Sequence, residues 1–150
     1  MQKDASFGLI PMYKDGDKVE FLLIQHVAGH WAFPKGHAES GESFLETAQR
    51  EFEEETAILQ YQVDESISFQ EEYYPQRDKV NGEAREGALG YGDIFHKTVT
   101  YYPAWVADKQ VKIQEEEVAD YGWFECKEAM TKITFPAGKK VLREVKKYLR

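Results

Sequence analysis

The stretch GHAESGESFLETAQREFEEETAI, residues 36–58, decides how the rest of this chain is read. Ser43 followed by Glu46 forms a capping box, in which each side chain satisfies a backbone N–H that a helix start leaves open. No proline or glycine interrupts Phe44–Glu55, so the spacing predicts a helix across residues 43–56. Leu45, Ala48 and Phe52 recur at i, i+3 and i+7 and predict a packing stripe. Glu51, Glu54 and Glu55 stand at i, i+3 and i+4, on a face about a quarter-turn from that stripe. The helix can therefore pack by one side and present three carboxylates with another. Like charges at this spacing cost about a few tenths of a kcal/mol per pair. Arg50, placed i+4 from Glu46 and i−4 from Glu54, offsets part of that. A divalent cation would offset the rest, and hard oxygen ligands suit Mg²⁺ or Mn²⁺, which also share substrate phosphates. Three glutamates on one face are more often solvated surface, so the face alone does not decide.

Outward from the helix, the chain reads as one mixed α/β domain over residues 1–150. Phe7–Tyr13 (FGLIPMY) predicts a strand with an edge or bulge at its proline, and Val19–Val27 predicts a buried strand. Turn residues Lys14–Asp17 join the two as a hairpin. Trp31–Phe33 is a short apolar piece stopped by Pro34 and Gly36, and a loop, HAESGE, leads into the helix. Further strands are expected in Tyr61–Tyr74, over Phe95–Val106 and at Gly122–Phe124, with helices near Lys127–Lys132 and Ala137–Leu149. Pro75–Asp93 has little periodicity, and a loop of that length inside a compact domain is usually functional or mobile.

Composition narrows the function classes. The chain has 42% hydrophobic and 31% charged residues, as soluble globular proteins do. No apolar run approaches the roughly 20 residues of a membrane span, and the N-terminus lacks a signal-peptide pattern. Cys126 is the only cysteine, which leaves no internal disulfide and favours a reducing, cytoplasmic setting. A net charge of −8 argues against a stable nucleic-acid partner. A small polyanion remains compatible, provided metal ions or a few placed cations receive it.

The full spacing of the opening stretch is Gly36-x5-Glu42-x7-Arg50-Glu51-Phe52-x-Glu54-Glu55-x-Ala57-Ile58. It resembles the Nudix box, departing from it only where Ala57 replaces a helix-terminating glycine. That departure touches the loop geometry more than the chemistry. The resemblance implies an α/β (α+β) fold, an α/β/α sandwich with a central mixed β-sheet and a loop–helix–loop catalytic motif. It implies Mg²⁺-assisted attack of water on phosphorus, with Mn²⁺ as a substitute. By the matching positions, Glu51, Glu54 and Glu55 hold metal and handle water, Arg50 belongs to the catalytic set, and the Gly36 carbonyl is a ligand. Which glutamate is the general base varies within the family; Glu54 is the choice here, with Glu51 and Glu55 as metal ligands.

Trp31-x-x-Pro34-Lys35-Gly36-His37 is similar to the branch of that family which hydrolyses asymmetric dinucleoside tetraphosphates such as Ap4A. On that resemblance, Lys35, His37 and Lys97 bind phosphates. Glu117 is a further metal-binding or catalytic glutamate, with Glu115 and Glu116 as neighbours able to replace it. Tyr73 or Tyr74, together with Phe135, stacks the nucleobase. His26, His30 and His96 have no ligand spacing and read as structural or surface residues, and the cations of the last helix read as its solvated face. The expected partner is a small nucleoside polyphosphate, for a monomer or small homo-oligomer without membrane contact. The competing readings are a (d)NTP pyrophosphohydrolase, another Nudix pyrophosphatase and a non-catalytic nucleotide sensor. An intact glutamate set disfavours the sensor.

Overall fold

Strands β1 (Gln2–Asp15) and β2 (Lys18–His26) form the expected hairpin, with Asp15 opposite Lys18. Both are apolar without clean alternation because both faces of the sheet are covered. Ile10, Met12, Phe21 and Leu23 enter one core cluster, while Phe7, Leu9 and Leu22 enter the other. The computed structural model describes residues 2–73, 79–80, 83–84 and 95–150. In it, β9 (Phe95–Val106) runs parallel to β1, from Gln2 opposite Phe95 to Met12 opposite Trp105. β5 (Tyr61–Val63) and β6 (Phe69–Tyr73) pair antiparallel with β9, and β10 (Val118–Glu125) with β2. β3 (Trp31–Ala32) joins β2 and β4 (Lys35–His37) joins β1, completing a mixed sheet of eight strands.

Helix α1 (Phe44–Thr56) covers one face through Ala48 and Phe52. Helices α2 (Cys126–Lys132) and α3 (Pro136–Tyr148) cover the other through Ala129, Val141, Leu142 and Val145. The result is an α/β/α sandwich. β7 (Lys79–Val80) and β8 (Glu83–Ala84) pair with each other as a separate hairpin, and the rest of the expected long loop lies outside the described residues. Among the described residues, no helix is long and apolar enough to cross a membrane.

Four expectations change. Pro11 sits in a central strand, not at an edge. On the side away from β9, β1 pairs with β4 at residues 6–8 and with β2 only from Met12, so Pro11, which has no N–H to donate, falls in the gap. The segment read as a loop after Pro34 begins as β4, and its approach depends on Gly8. A Cβ on Gly8 would stand 2.2 Å from the Pro34 carbonyl oxygen. The strand expected at Gly122–Phe124 is the end of the longer β10, whose polar first half pairs along β2 with an irregularity between Val118 and Asp120. In α1, Leu45 is only half-buried, and the stripe is widened instead by Thr47 and Thr56. Their hydroxyls donate to the Ser43 and Phe52 carbonyls, which lets them be buried.

The capping box forms as read: Ser43 Oγ accepts from the Glu46 N–H at 3.1 Å, and Glu46 Oε1 from the Ser43 N–H at 3.0 Å. At the other end Ala57 has φ 60° and ψ 16°, and its N–H closes on the Glu53 carbonyl at 2.9 Å. A side chain in this left-handed region costs about 1–2 kcal/mol, and the entropy of a glycine returns about half of any gain. Ala57→Gly is therefore expected to stabilise the fold by about 0.5–1 kcal/mol, read as a higher urea midpoint. A lower midpoint would mean that the Cβ makes contacts worth more than the strain.

Candidate active site

One turn of α1 separates Glu51 from Glu55, and the turn before β10 brings Glu117 to them. One carboxylate oxygen from each lies within 4.8 Å of the others. At that distance two bare carboxylates repel by about 3 kcal/mol, taking an effective dielectric of about 20. Glu55 is 4% exposed, and its Oε2 has no hydrogen-bond partner among the described residues. Burial, and then the charge of Glu51, pushes the Glu55 carboxyl up to about 9. Glu51 is raised too, chiefly by burial. The backbone of β4 lies directly against this group: a Cβ on Gly36 would stand 2.0 Å from Glu51 Cδ, so only glycine brings the main chain that close. Crowded carboxylates, an orphaned buried oxygen and adjacent backbone form a donor set that fits a divalent cation. The bond from the Val27 N–H to the Glu117 carbonyl, 2.9 Å, ties Glu117 to the end of β2. Glu115 and Glu116 are exposed and stand outside the group.

The proton held by Glu55 has a consequence for stability. Its folded value of about 9 exceeds the ordinary 4.5, so the folded protein retains a proton that the unfolded chain has released. Without metal, stability should fall as pH rises from about 4.5 to about 9, and Glu51 adds in the same direction. His30, held below its usual value, opposes the trend only at pH 6.5 and below, and Lys35, lowered by burial, opposes it only above its own folded value. Urea midpoints measured in EDTA across this range, with Glu55→Gln as the flatter control, check the claim. Parallel profiles would contradict it.

Arg50 organises the entrance to the helix. Its Nε and Nη2 donate to Glu42 at 2.6 and 3.0 Å, Nη1 to Glu51 at 3.1 Å and to Glu54 at 3.2 Å, and Nη2 also to the His37 carbonyl at 2.9 Å. The expected pairing with Glu46 is absent from these contacts because the capping box occupies the Glu46 carboxylate. Glu42 replaces it, with a further bond from the Glu39 N–H at 2.7 Å. The Arg50 hydrogen bonds hold the Glu42 carboxyl down to about 2. Glu42 stands in the box spacing but was not among the expected site residues; its distance from Arg50 in sequence hid the pairing. Glu54 is the one member of the glutamate trio outside the Glu51–Glu55–Glu117 group, half exposed in the grip of Arg50.

Beside the carboxylates opens a cleft of about 460 Å³. Lys35 from β4 and Lys97 from β9 line it together with Glu51, Glu55 and Glu117. Burial, and then the charge of Lys97, lowers the Lys35 ammonium from its usual range. His37 lines the cleft as well, with Nε2 2.7 Å from Asp4 Oδ1. His26 and His30, read from sequence as structural or surface residues, also form this wall, their rings stacked at 4.9 Å. The β2–β3 turn that brings them together was the available signal. His30 meets Phe135 at 5.4 Å, and Phe135 meets the edge of Tyr73 at 6.3 Å. Lys97 Nζ lies 5.9 Å from the centre of the Tyr73 ring. Phe135 is 42% exposed, more than a core ring would be. Tyr74, the other candidate for stacking, lies outside the described residues.

A sequence model of the NUDIX domain matches residues 2–145. The chain is 37% identical over 144 residues to the asymmetrical bis(5'-nucleosyl)-tetraphosphatase of Mus musculus, covering 94% of this chain and 87% of that protein. It is similar, with the same identity and coverage, to the protein of that name from Sus scrofa. Among solved structures it is similar to a C. elegans Ap4A hydrolase in a binary complex, with a TM-score of 0.78, 26% identity and 97% of each chain covered. The NUDIX domain of Shewanella oneidensis NrtR, complexed with ADP-ribose, shares the fold at a TM-score of 0.74 and 17% identity, over 100% of this chain and 90% of that one.

Proposed function

The chain belongs to the NUDIX domain family, and from that premise we propose that it hydrolyses Ap4A asymmetrically, to ATP and AMP. It is a hydrolase of phosphorus-containing acid anhydrides. The observation that carries the reading is the meeting of two unlike groups in one cleft: the carboxylates Glu51, Glu55 and Glu117, and the ammonium side chains of Lys35 and Lys97. The first group suits a cation and the second an extended polyphosphate.

Glu51, Glu55, Glu117 and the Gly36 carbonyl would hold Mg²⁺, with Mn²⁺ as a substitute. When bound, the cation supplies charge neutralisation and Lewis acidity at the phosphate oxygens. Lys35, Lys97 and His37 bind the phosphate chain and fix its register. Arg50 keeps Glu51 and Glu54 aimed. Glu54, half exposed at the rim, accepts a proton from the attacking water as general base. Tyr73 and Phe135 receive a base by stacking, an interaction worth about 1–3 kcal/mol per base. The reading places the protein in the cytoplasm as a single NUDIX domain, monomeric or a small homo-oligomer.

A nucleotide panel with Mg²⁺ tests the proposal, products being separated by ion-exchange chromatography. Ap4A should turn over faster than dATP. Brisk dATP hydrolysis with no turnover of Ap4A would move the chain to the (d)NTP pyrophosphohydrolases. Tight nucleotide binding without any cleavage would make it a sensor.

A further inference from the structure

Strand β6 buries Phe69 and Glu71 on one face and half-buries Tyr73 beyond them. Glu71 thus occupies a position that strand alternation assigns to an apolar side chain, and it is 4% exposed. A carboxylate so withdrawn from water is costly unless hydrogen bonds and charge answer it. The Tyr73 hydroxyl donates to Glu71 Oε2. The fully buried Tyr101 phenol faces the same carboxylate from β9, and Lys35 feels its charge from the cleft wall. Glu71 itself belongs neither to the cleft lining nor to the Glu51–Glu55–Glu117 group. The ring it tethers does matter, since Tyr73 stands edge-on to Phe135 at 85° and carries Lys97 over its face.

We propose that Glu71 is a positioning residue for nucleobase recognition, fixing the Tyr73 ring by accepting its hydroxyl so that the Tyr73–Phe135 platform is set before substrate arrives. A free tyrosine ring would have to be ordered during binding, and that ordering would be subtracted from affinity. The tether removes the loss in advance, at the expense of a buried charge. This inference rests on the nucleotide-hydrolase reading above.

Calorimetric binding of AMP and of inorganic tripolyphosphate separates a role at the base from a general structural one. Tyr73→Phe keeps the ring and removes only the hydroxyl, so it tests the tether with little risk to the fold. It and Glu71→Leu should each weaken AMP by about tenfold. In Tyr73→Phe, which leaves the Glu71 carboxylate near Lys35 in place, tripolyphosphate, which has no base, should change by less than about twofold. Glu71→Gln retains an acceptor oxygen and should restore AMP binding to within about threefold of wild type. The double variant Tyr73→Phe/Glu71→Leu should bind AMP no worse than either single one. Unchanged AMP affinity in Tyr73→Phe, equal loss of both ligands, or additive losses would each overturn the proposal. Should the Glu71 variants not fold, Tyr73→Phe decides by itself. A wild type that binds AMP and cleaves Ap4A beside an unaffected Tyr73→Phe refutes the tether alone; a wild type that does neither refutes the functional reading.

Discussion

Glu55→Gln is expected to lower kcat about a thousandfold while making the metal-free protein more resistant to urea at pH 8. The two effects have one cause. Glu55 is 4% exposed, its Oε2 has no hydrogen-bond partner among the described residues, and burial with Glu51 pushes its carboxyl up to about 9. A group so placed weakens the empty fold and is retained for what it holds. Glutamine fills the same volume without demanding a charge, so the fold gains and the cation loses a ligand. With Mg²⁺ present the order reverses, because ligand binding stabilises only the protein that binds it. Glu54→Gln is the comparison. Half exposed and gripped by Arg50, it should lower turnover with little change in metal affinity, as a water-handling residue would. Near-normal activity in both variants would remove the mechanism, and a destabilised metal-free Glu55→Gln would remove the account of the site's strain.

Arg50→Ala is expected to lower the unfolding free energy by about 2–3 kcal/mol and to abolish most activity. The guanidinium satisfies Glu42, Glu51, Glu54 and the His37 carbonyl at once. Its side chain is 22% exposed and that of Glu54 46%, so the outer pair contributes little and the Glu42 fork most. Arg50→Lys keeps the charge but not the fork, and should lose about half as much. The decisive comparison is the cycle with Glu42→Ala: removing both partners should cost scarcely more than removing Arg50 alone. Additive losses would mean that Glu42 and Arg50 act independently.

Most of this architecture is legible where local chemistry and tertiary demand agree. Ser43 and Glu46 mark the helix start because the capping box is a contact between near neighbours in sequence. The apolar runs of β1, β2 and β9 mark strands because both faces of the central sheet are covered. What stays hidden depends on partners far along the chain. Lys35–His37 becomes strand β4 only because Gly8 admits the Pro34 carbonyl, which no local propensity records. Pro11 reads as an edge or bulge residue until the gap between the β4 and β2 pairings is known. Arg50 could be paired from sequence with Glu46 or Glu54 by helical spacing, but its bond to Glu42 requires the preceding turn to fold back. The same limit separates the glutamates: helical periodicity groups Glu51, Glu54 and Glu55, whereas the fold exchanges Glu54 for Glu117. His26 and His30 reach the cleft through a turn, and Glu71 meets the Tyr73 hydroxyl through strand alternation, so neither arrangement shows a motif.

The central claim is that Glu51, Glu55 and Glu117 hold a cation beside a polyphosphate cleft and that water is delivered there to phosphorus. Its most direct test is the hydrolysis of Ap4A in H₂¹⁸O with Mg²⁺, the products being resolved by mass spectrometry. ATP and AMP should form in equal amounts, with one ¹⁸O in only one of the two, and chelation of the metal should stop both. ADP as the product, or ATP and AMP that carry no label, would contradict the account.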